Sequence, residues 1–108
     1  MNKTEILNRL EEAISSRKDG DVSKSYVASL FAKGRKKIAQ KVGEEGVEMA
    51  LAAVTGDKQE VVAESADLLF HMMVLWADMD ISPDDIFVEL ARREGISGID
   101  EKKERDNQ

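Results

Sequence analysis

Cysteine is absent from this sequence, and histidine, proline, tryptophan and tyrosine each occur once among its 108 residues. Without cysteine the chain has no disulfide framework, no thiolate metal site and no cysteine nucleophile. Such a composition fits a reducing compartment, so we expect a cytoplasmic location. The single histidine, His71, disfavours a di-iron carboxylate bundle, because those sites repeat a Glu-x-x-His pattern on two helices.

The sequence also lacks a long apolar run. The longest nearly apolar segment, 68–77, contains His71 and is far shorter than the roughly 20 residues that a membrane-spanning helix needs. The first residues, MNKTEILNRLEEAISSRK, have neither the uninterrupted apolar segment nor the small-residue cleavage site of a signal peptide. We therefore expect a soluble protein with no membrane partner.

Positive charge is outnumbered and unevenly distributed. The net charge is −6, yet residues 1–43 carry ten Lys or Arg against five Asp or Glu, and residues 44–108 carry six against seventeen. Binding to a nucleic-acid backbone needs many neutralising contacts, and no aromatic residues interleave with the basic ones, so polymeric nucleic acid is a poor candidate partner. The short basic run before residue 43 suits a small polyanion better.

Apolar residues recur at helical spacing along most of the chain and predict an all-α fold. The expected bundle has about five helices, and the third and fourth form a central antiparallel pair. We expect one domain over residues 1–95 and a charged C-terminal tail over 96–108. Since a chain of this length buries only about two-thirds of its unfolded surface, we also expect dimerisation to complete the bundle.

Capping residues predict where these helices begin and end. Thr4 is a possible N-cap of the first helix over 4–16, and Ser23 or Ser25 caps a short second helix that ends at Gly34 in the left-handed conformation. The third helix runs over 35–55 and ends at Gly56. An Asp57 and Glu60 capping box then starts a fourth helix to about residue 79, and Ser82-Pro83 starts a fifth that ends before Gly95.

Charged residues occupy one face of each of the two central helices. At about 3.6 residues per turn, the third helix places two lysines and three glutamates on a single face flanked by apolar stripes, and these are Lys37, Lys41, Glu44, Glu45 and Glu48. The fourth helix is apolar except for a narrow strip that holds Glu60, Glu64, Asp67, His71 and Asp78. We interpret His71 as a buried imidazole whose nitrogens are hydrogen-bonded, not as a metal ligand, and Tyr26 as a core residue.

Two carboxylate pairs stand out in these strips, Glu45-x-x-Glu48 and Glu64-x-x-Asp67. If the two helices pack antiparallel, all four carboxylates can converge, and such a cluster in an apolar setting repels itself unless a cation is present. Ligands made only of oxygen select Mg²⁺, or Mn²⁺, over Zn²⁺. An exposed, merely solvated role for these carboxylates is the alternative, and Lys41 could simply pair with Glu45.

The residues that carry this pattern resemble a known family. The segments SYVASLFAKGRKKIAQKVGEEGVEMALAA, ESADLLFHMMVLWA and ELARREGISGIDEKKER look like phosphoribosyl-ATP pyrophosphatase of histidine biosynthesis, a branch of the all-α nucleoside triphosphate pyrophosphohydrolases with the EExxE…ExxD pattern. The resemblance covers about residues 3–105. Gly46 and Phe70 depart from the residues usual in that family, although neither is a proposed ligand.

The resemblance implies Mg²⁺-dependent hydrolysis of 1-(5-phosphoribosyl)-ATP to 1-(5-phosphoribosyl)-AMP and pyrophosphate. By this resemblance Glu45, Glu48, Glu64 and Asp67 match metal-binding positions, Glu44 completes the motif, and Lys37 and Lys41 match lysines near the phosphates. Either Glu44 or Glu48 would orient or deprotonate the attacking water. We therefore expect a nucleotide-binding homodimeric hydrolase whose partner is a small nucleotide.

Two other functions remain open at this point. A house-cleaning pyrophosphatase of noncanonical nucleoside triphosphates shares the metal motif, so only its substrates would distinguish it. A non-enzymatic helical interaction protein would use the apolar helices for association alone, and loss of Glu48 or Asp67 would then leave its function intact.

Overall fold

Five α-helices make up the described part of the chain, which in this computed structural model comprises residues 2–95, 102, 105 and 106. They are α1 (Lys3–Ser15), α2 (Tyr26–Lys33), α3 (Arg35–Thr55), α4 (Lys58–Asp78) and α5 (Pro83–Arg93). The prediction of an all-α fold is confirmed. Apart from those three positions, the predicted tail over 96–108 lies outside the described residues. Over the described ranges, each helix is too short or too polar to cross a membrane.

A long helical hairpin, α3 and α4, is the frame of the fold. Gly56 adopts the left-handed conformation, with φ 80° and ψ 14°, and its N–H bonds back to the carbonyls of Ala52 and Ala53. Glycine enters this conformation without the steric cost that a Cβ imposes, so the chain reverses between Thr55 and Lys58. At the far end Arg35 Nε donates to Asp78 Oδ2 over 2.9 Å. The two helices are therefore antiparallel along their length.

The hydrophobic core lies at the end of this hairpin remote from Gly56. It consists of five almost fully buried side chains contributed by four helices, Ile14, Leu30, Ile38, Met73 and Val74. Helices α1 and α2 cover only this end. The half of the hairpin nearer Gly56 leaves apolar side chains in solvent, including Val47, Leu51, Val54 and Val62.

Helix caps agree with the sequence patterns in part. The N-cap of α1 is Asn2, whose side chain accepts from the Glu5 N–H over 2.8 Å, so the assignment to Thr4 was wrong by two residues. Ser25 caps α2. Gly34 has φ 96° but ψ 174°, outside the left-handed helical region, because it also serves as the N-cap from which α3 begins at once.

The start of α4 is a half-formed capping box. The Asp57 side chain accepts from the Glu60 N–H over 3.1 Å, whereas the Asp57 N–H bonds to the Ala52 carbonyl and not to the Glu60 side chain. At α5, by contrast, Ser82 and Asp85 form the reciprocal box. The Glu60 carboxylate is thus not used in capping its own helix.

Candidate metal centre

Three carboxylates meet between the two long helices. Glu45 and Glu48 lie on successive turns of α3, and Glu64 of α4 faces them because the helices run antiparallel. One oxygen from each of these side chains lies within 4.8 Å of the other two. This separation is short enough for all three oxygens to bind one cation, given metal–oxygen distances of about 2.0–2.6 Å.

Two oxygens of this cluster are buried without a hydrogen-bond partner. Glu45 is only 8% exposed. One oxygen of Glu45 and one of Glu64 make no hydrogen bond within the described part of the chain. An unpartnered buried carboxylate oxygen is costly, and a cation is the group that would satisfy several such oxygens at once. The donor set is oxygen only, which fits Mg²⁺ or Mn²⁺.

The titration of Glu64 reflects the same crowding. Its pKa is raised to about 8, chiefly because its protonated form can hydrogen-bond to Glu45 and secondly because of burial. The neighbouring carboxylates of Glu60 and Glu48 raise this pKa further. The raised pKa reflects how closely the carboxylates of the cluster approach one another.

Lys41 lies at one edge of the cluster. Its Nζ is 3.3 Å from Glu44 Oε2 and 4.0 Å from Glu45 Oε1. The pKa of Lys41 is raised, mainly by the hydrogen bond to Glu44, so this amine stays positively charged. Lys37, one turn earlier on the same helix, is half-buried and contributes to the lowered pKa of Glu44.

Glu44 is hydrogen-bonded to side chains of its own helix, whereas its neighbour Glu45 lies in the carboxylate cluster. Its Oε1 accepts from Gln40 Nε2 over 2.7 Å, and Lys41 holds the other oxygen. These two donors lower the pKa of Glu44, the Gln40 bond most. Glu44 is outside the three-carboxylate cluster, and a carboxylate with a lowered pKa is a weak proton acceptor.

Of the four expected metal ligands, Asp67 is the one that lies outside the three-carboxylate cluster. It is exposed one turn beyond Glu64, and its carbonyl oxygen lies 2.8 Å from His71 Nδ1. His71 is 5% exposed, and its Nε2 is 2.9 Å from the Tyr26 hydroxyl oxygen, so both ring nitrogens have partners as predicted. Tyr26 itself is 52% exposed, and its assignment to the core was wrong.

A cavity of about 350 Å³ opens from the cluster towards the Gly56 end of the hairpin. Its acidic lining is Glu48, Glu60 and Glu64, and the remaining wall is formed by Leu51, Ala52 and Thr55. Glu60 was not among the site residues expected from the sequence. The sequence did place Glu60 one turn before Glu64 on the charged strip of α4, which could have suggested a role in the site. The predicted capping box with Asp57 accounted for a glutamate at this position equally well.

Comparisons with known proteins agree on one family. Residues 7–94 match the family model described as phosphoribosyl-ATP pyrophosphohydrolase. The chain is 57% identical over 102 residues to a phosphoribosyl-ATP pyrophosphatase of Paramagnetospirillum magneticum, covering 94% of each chain. It is 57% identical over 107 residues to the protein of the same name from Novosphingobium aromaticivorans, covering 99% of this chain and 100% of that one. For the Azospirillum brasilense protein of that name the identity is 53%, over 93% of this chain and 90% of the relative.

Proposed function

The chain belongs to the phosphoribosyl-ATP pyrophosphohydrolase family and is a hydrolase, and we propose that it cleaves 1-(5-phosphoribosyl)-ATP to 1-(5-phosphoribosyl)-AMP and pyrophosphate with Mg²⁺ as cofactor. Mn²⁺ would serve in its place, since it accepts the same oxygen ligands. The observation that carries this proposal is the meeting of Glu45, Glu48 and Glu64 with two buried oxygens lacking partners.

Glu45, Glu48 and Glu64 are the residues that would hold the cation, since one oxygen of each lies within 4.8 Å of the other two. Asp67, exposed on the next turn of α4, would be a further ligand. When bound, the cation supplies positive charge that offsets the charge of the triphosphate and of the departing pyrophosphate. Without that charge, the clustered carboxylates would repel the substrate.

The other site residues act on water and phosphate. Glu48 is exposed at the mouth of the cavity, so it is placed to orient the attacking water and accept its proton. Lys41 and Lys37 would contact phosphate oxygens and offset the charge that remains. Water adds at phosphorus, the bond to the leaving pyrophosphate breaks, and the water's proton passes to Glu48.

Pyrophosphate release tests this proposal directly. Purified protein with Mg²⁺ should release pyrophosphate from phosphoribosyl-ATP much faster than from ordinary or damaged nucleoside triphosphates. Glu48→Ala and Asp67→Ala should each abolish the release. Faster turnover of damaged triphosphates would instead assign a house-cleaning role, and full turnover by either variant would remove that residue from the site.

A homodimer is the second part of the proposal. The apolar residues Val47, Leu51 and Val54 form one stripe of α3 and are 60%, 61% and 86% exposed. On α4 Val62 is 71% exposed. Several large apolar side chains exposed together are typical of an interface, and a second copy would cover those on this half of the hairpin. Light scattering should then give about twice the chain mass of 12.0 kDa.

The cell compartment is also a proposal. The absence of cysteine is consistent with a reducing environment, which supports a cytoplasmic location. Fractionation of cells that express the tagged protein would test it.

A further inference from the structure

Glu60 shares the carboxylate cavity with Glu48 and Glu64. It lies one turn before Glu64 on α4, and its carboxylate contacts that of Glu64. The EExxE and ExxD spacings do not include it. Gly56 ends α3 and Asp57 caps the start of α4. This turn sets where α4 begins, and it therefore determines that Glu60 lies beside Glu48 in the cavity lining.

Basic side chains do not neutralise the carboxylates that line the cavity. Lys41 reaches only the opposite side, 4.0 Å from Glu45. Within the described ranges, Glu48, Glu60 and Glu64 have no lysine or arginine nitrogen within 4.0 Å. Carboxylates in contact repel one another unless a proton or a cation lies between them.

A second observation points to a bound ligand. Glu45 is buried beneath the cluster, and its Oε2 has no hydrogen-bond partner among the described residues. The Oε2 of Glu64 has none either. Solvation of an exposed surface does not account for these two oxygens, because they are removed from water.

Helix capping does not occupy the Glu60 side chain. The cap bond at the start of α4 uses the backbone N–H of Glu60, and the Asp57 N–H is taken by the Ala52 carbonyl. A negative charge in the first turn favours the helix dipole, but any orientation of the carboxylate would provide that. The observed orientation, into a cavity lined by two further carboxylates, needs another reason.

We propose that Glu60 is a further divalent-cation ligand, which acts beside Glu48 and Glu64 at the end of the carboxylate cluster nearer Gly56. The proposal rests on the proposed metal dependence of this site and adds a residue to it. Mg²⁺ and Mn²⁺ usually retain waters, so an exposed carboxylate at the mouth binds either the ion directly or one of those waters.

Binding of Mn²⁺ alone tests this inference without any nucleotide. Free Mn²⁺ would be followed by electron paramagnetic resonance during titration of the full chain, of Glu60→Gln and of the matched control Glu12→Gln, an exposed glutamate of α1. We expect Glu60→Gln to weaken Mn²⁺ binding by about tenfold or more. The control should stay within about twofold of the parent chain.

Thermal unfolding with and without Mn²⁺ provides the second measurement. In a chelator, Glu60→Gln should unfold at or above the temperature of the parent chain, because the substitution removes repulsion between carboxylates. The rise in its unfolding temperature on adding Mn²⁺ should be smaller than the rise for the parent chain. If Glu60→Gln has the Mn²⁺ affinity of the parent chain and the same rise in unfolding temperature, Glu60 is not a ligand. Failure to hydrolyse phosphoribosyl-ATP would refute the proposed reaction and leave this result intact.

Discussion

Tyr26 of α2 and His71 of α4 are joined by a hydrogen bond of 2.9 Å between the phenol oxygen and Nε2. The other ring nitrogen, Nδ1, lies 2.8 Å from the carbonyl oxygen of Asp67. A carbonyl can only accept, so Nδ1 carries the proton, and in the neutral ring Nε2 is then the acceptor. The Tyr26 hydroxyl therefore donates to His71 and ties α2 to the turn of α4 that bears Asp67.

Removing that hydroxyl should destabilise the fold. Tyr26→Phe keeps the ring, which is stacked on Phe70 with centroids 6.3 Å apart, but leaves Nε2 of the buried His71 without its donor. The expected cost is about 1–3 kcal/mol of unfolding free energy, measured by chemical denaturation. Ser15→Ala, which removes an exposed hydroxyl from α1, is the control and should cost less. Equal stability of Tyr26→Phe and the parent chain would show that solvent replaces the bond.

Glu48 and Glu44 should differ sharply in their effect on turnover. Glu48 lines the cavity, whereas Glu44 is bound by Gln40 and Lys41 outside the cluster. Glu48→Gln should lower kcat for pyrophosphate release by about 100-fold or more, a typical loss for a general base. Glu44→Gln should lower kcat by less than about tenfold. The reverse order would make Glu44 the proton acceptor.

Neutralising Glu64 should raise the melting temperature without metal but reduce the rise that a bound metal produces. Glu64→Gln replaces a carboxyl group whose pKa is raised to about 8 with a neutral amide, so the variant carries no charge to be buried at this position. In a chelator the variant should therefore melt at a higher temperature than the parent chain near pH 8. With Mn²⁺ present the order should reverse, because the parent chain alone gains a complete ligand set. Identical Mn²⁺ shifts in the two proteins would exclude Glu64 as a ligand.

Glu89 of α5 gives the fold an acid-sensitive contact. Arg92 Nη2 lies 2.8 Å and Arg93 Nε 3.0 Å from Glu89 Oε1, and these bonds, that of Arg92 first, lower the pKa of Glu89 to about 2. In the unfolded chain this pKa is about 4.3. Its contribution to stability is therefore present above about pH 4.3 and is lost as the pH falls towards 2.

Melting temperatures of the parent chain and Glu89→Gln at several pH values would measure that contribution. The parent chain should melt higher at pH 6, and the difference should shrink to near zero at about pH 2. The effect is small because the side chains are partly exposed. Glu12→Gln should show no such convergence. A difference that is the same at both pH values would mean that the two arginines do not stabilise the Glu89 carboxylate.

The proposed dimer face should be sensitive to one charge. Val54 is 86% exposed in the single chain, so Val54→Glu leaves the protomer's own packing intact but would bury a carboxylate between two copies. We expect light scattering to shift from the dimer mass to that of a single chain. Val88→Glu, on α5 and 69% exposed, is the matched control and should remain dimeric. Dissociation by Val88→Glu alone would move the interface to α5.

The helices themselves could be predicted from the sequence because their signals are local. Apolar spacing gives their extent, and Gly56, Asp57 and Ser82 mark ends that the structure confirms. One error fell where two nearby residues, Asn2 and Thr4, are both suited to cap the same helix. Family membership was also predicted, since it depends on residue types at fixed spacing and not on their contacts.

What the sequence determined by itself is therefore the set of helices, their charged faces and the family. Which carboxylates meet was decided only by the tertiary structure, because the turn at Gly56 and Asp57 fixes how far α4 is rotated and shifted against α3. That packing joins Glu64 to Glu45 and Glu48 and places Glu60 in the lining of the same cavity, and it leaves Asp67 and Glu44 outside the cluster. Helical spacing describes one helix at a time, whereas distances between carboxylates on different helices depend on the rotation and axial shift between them.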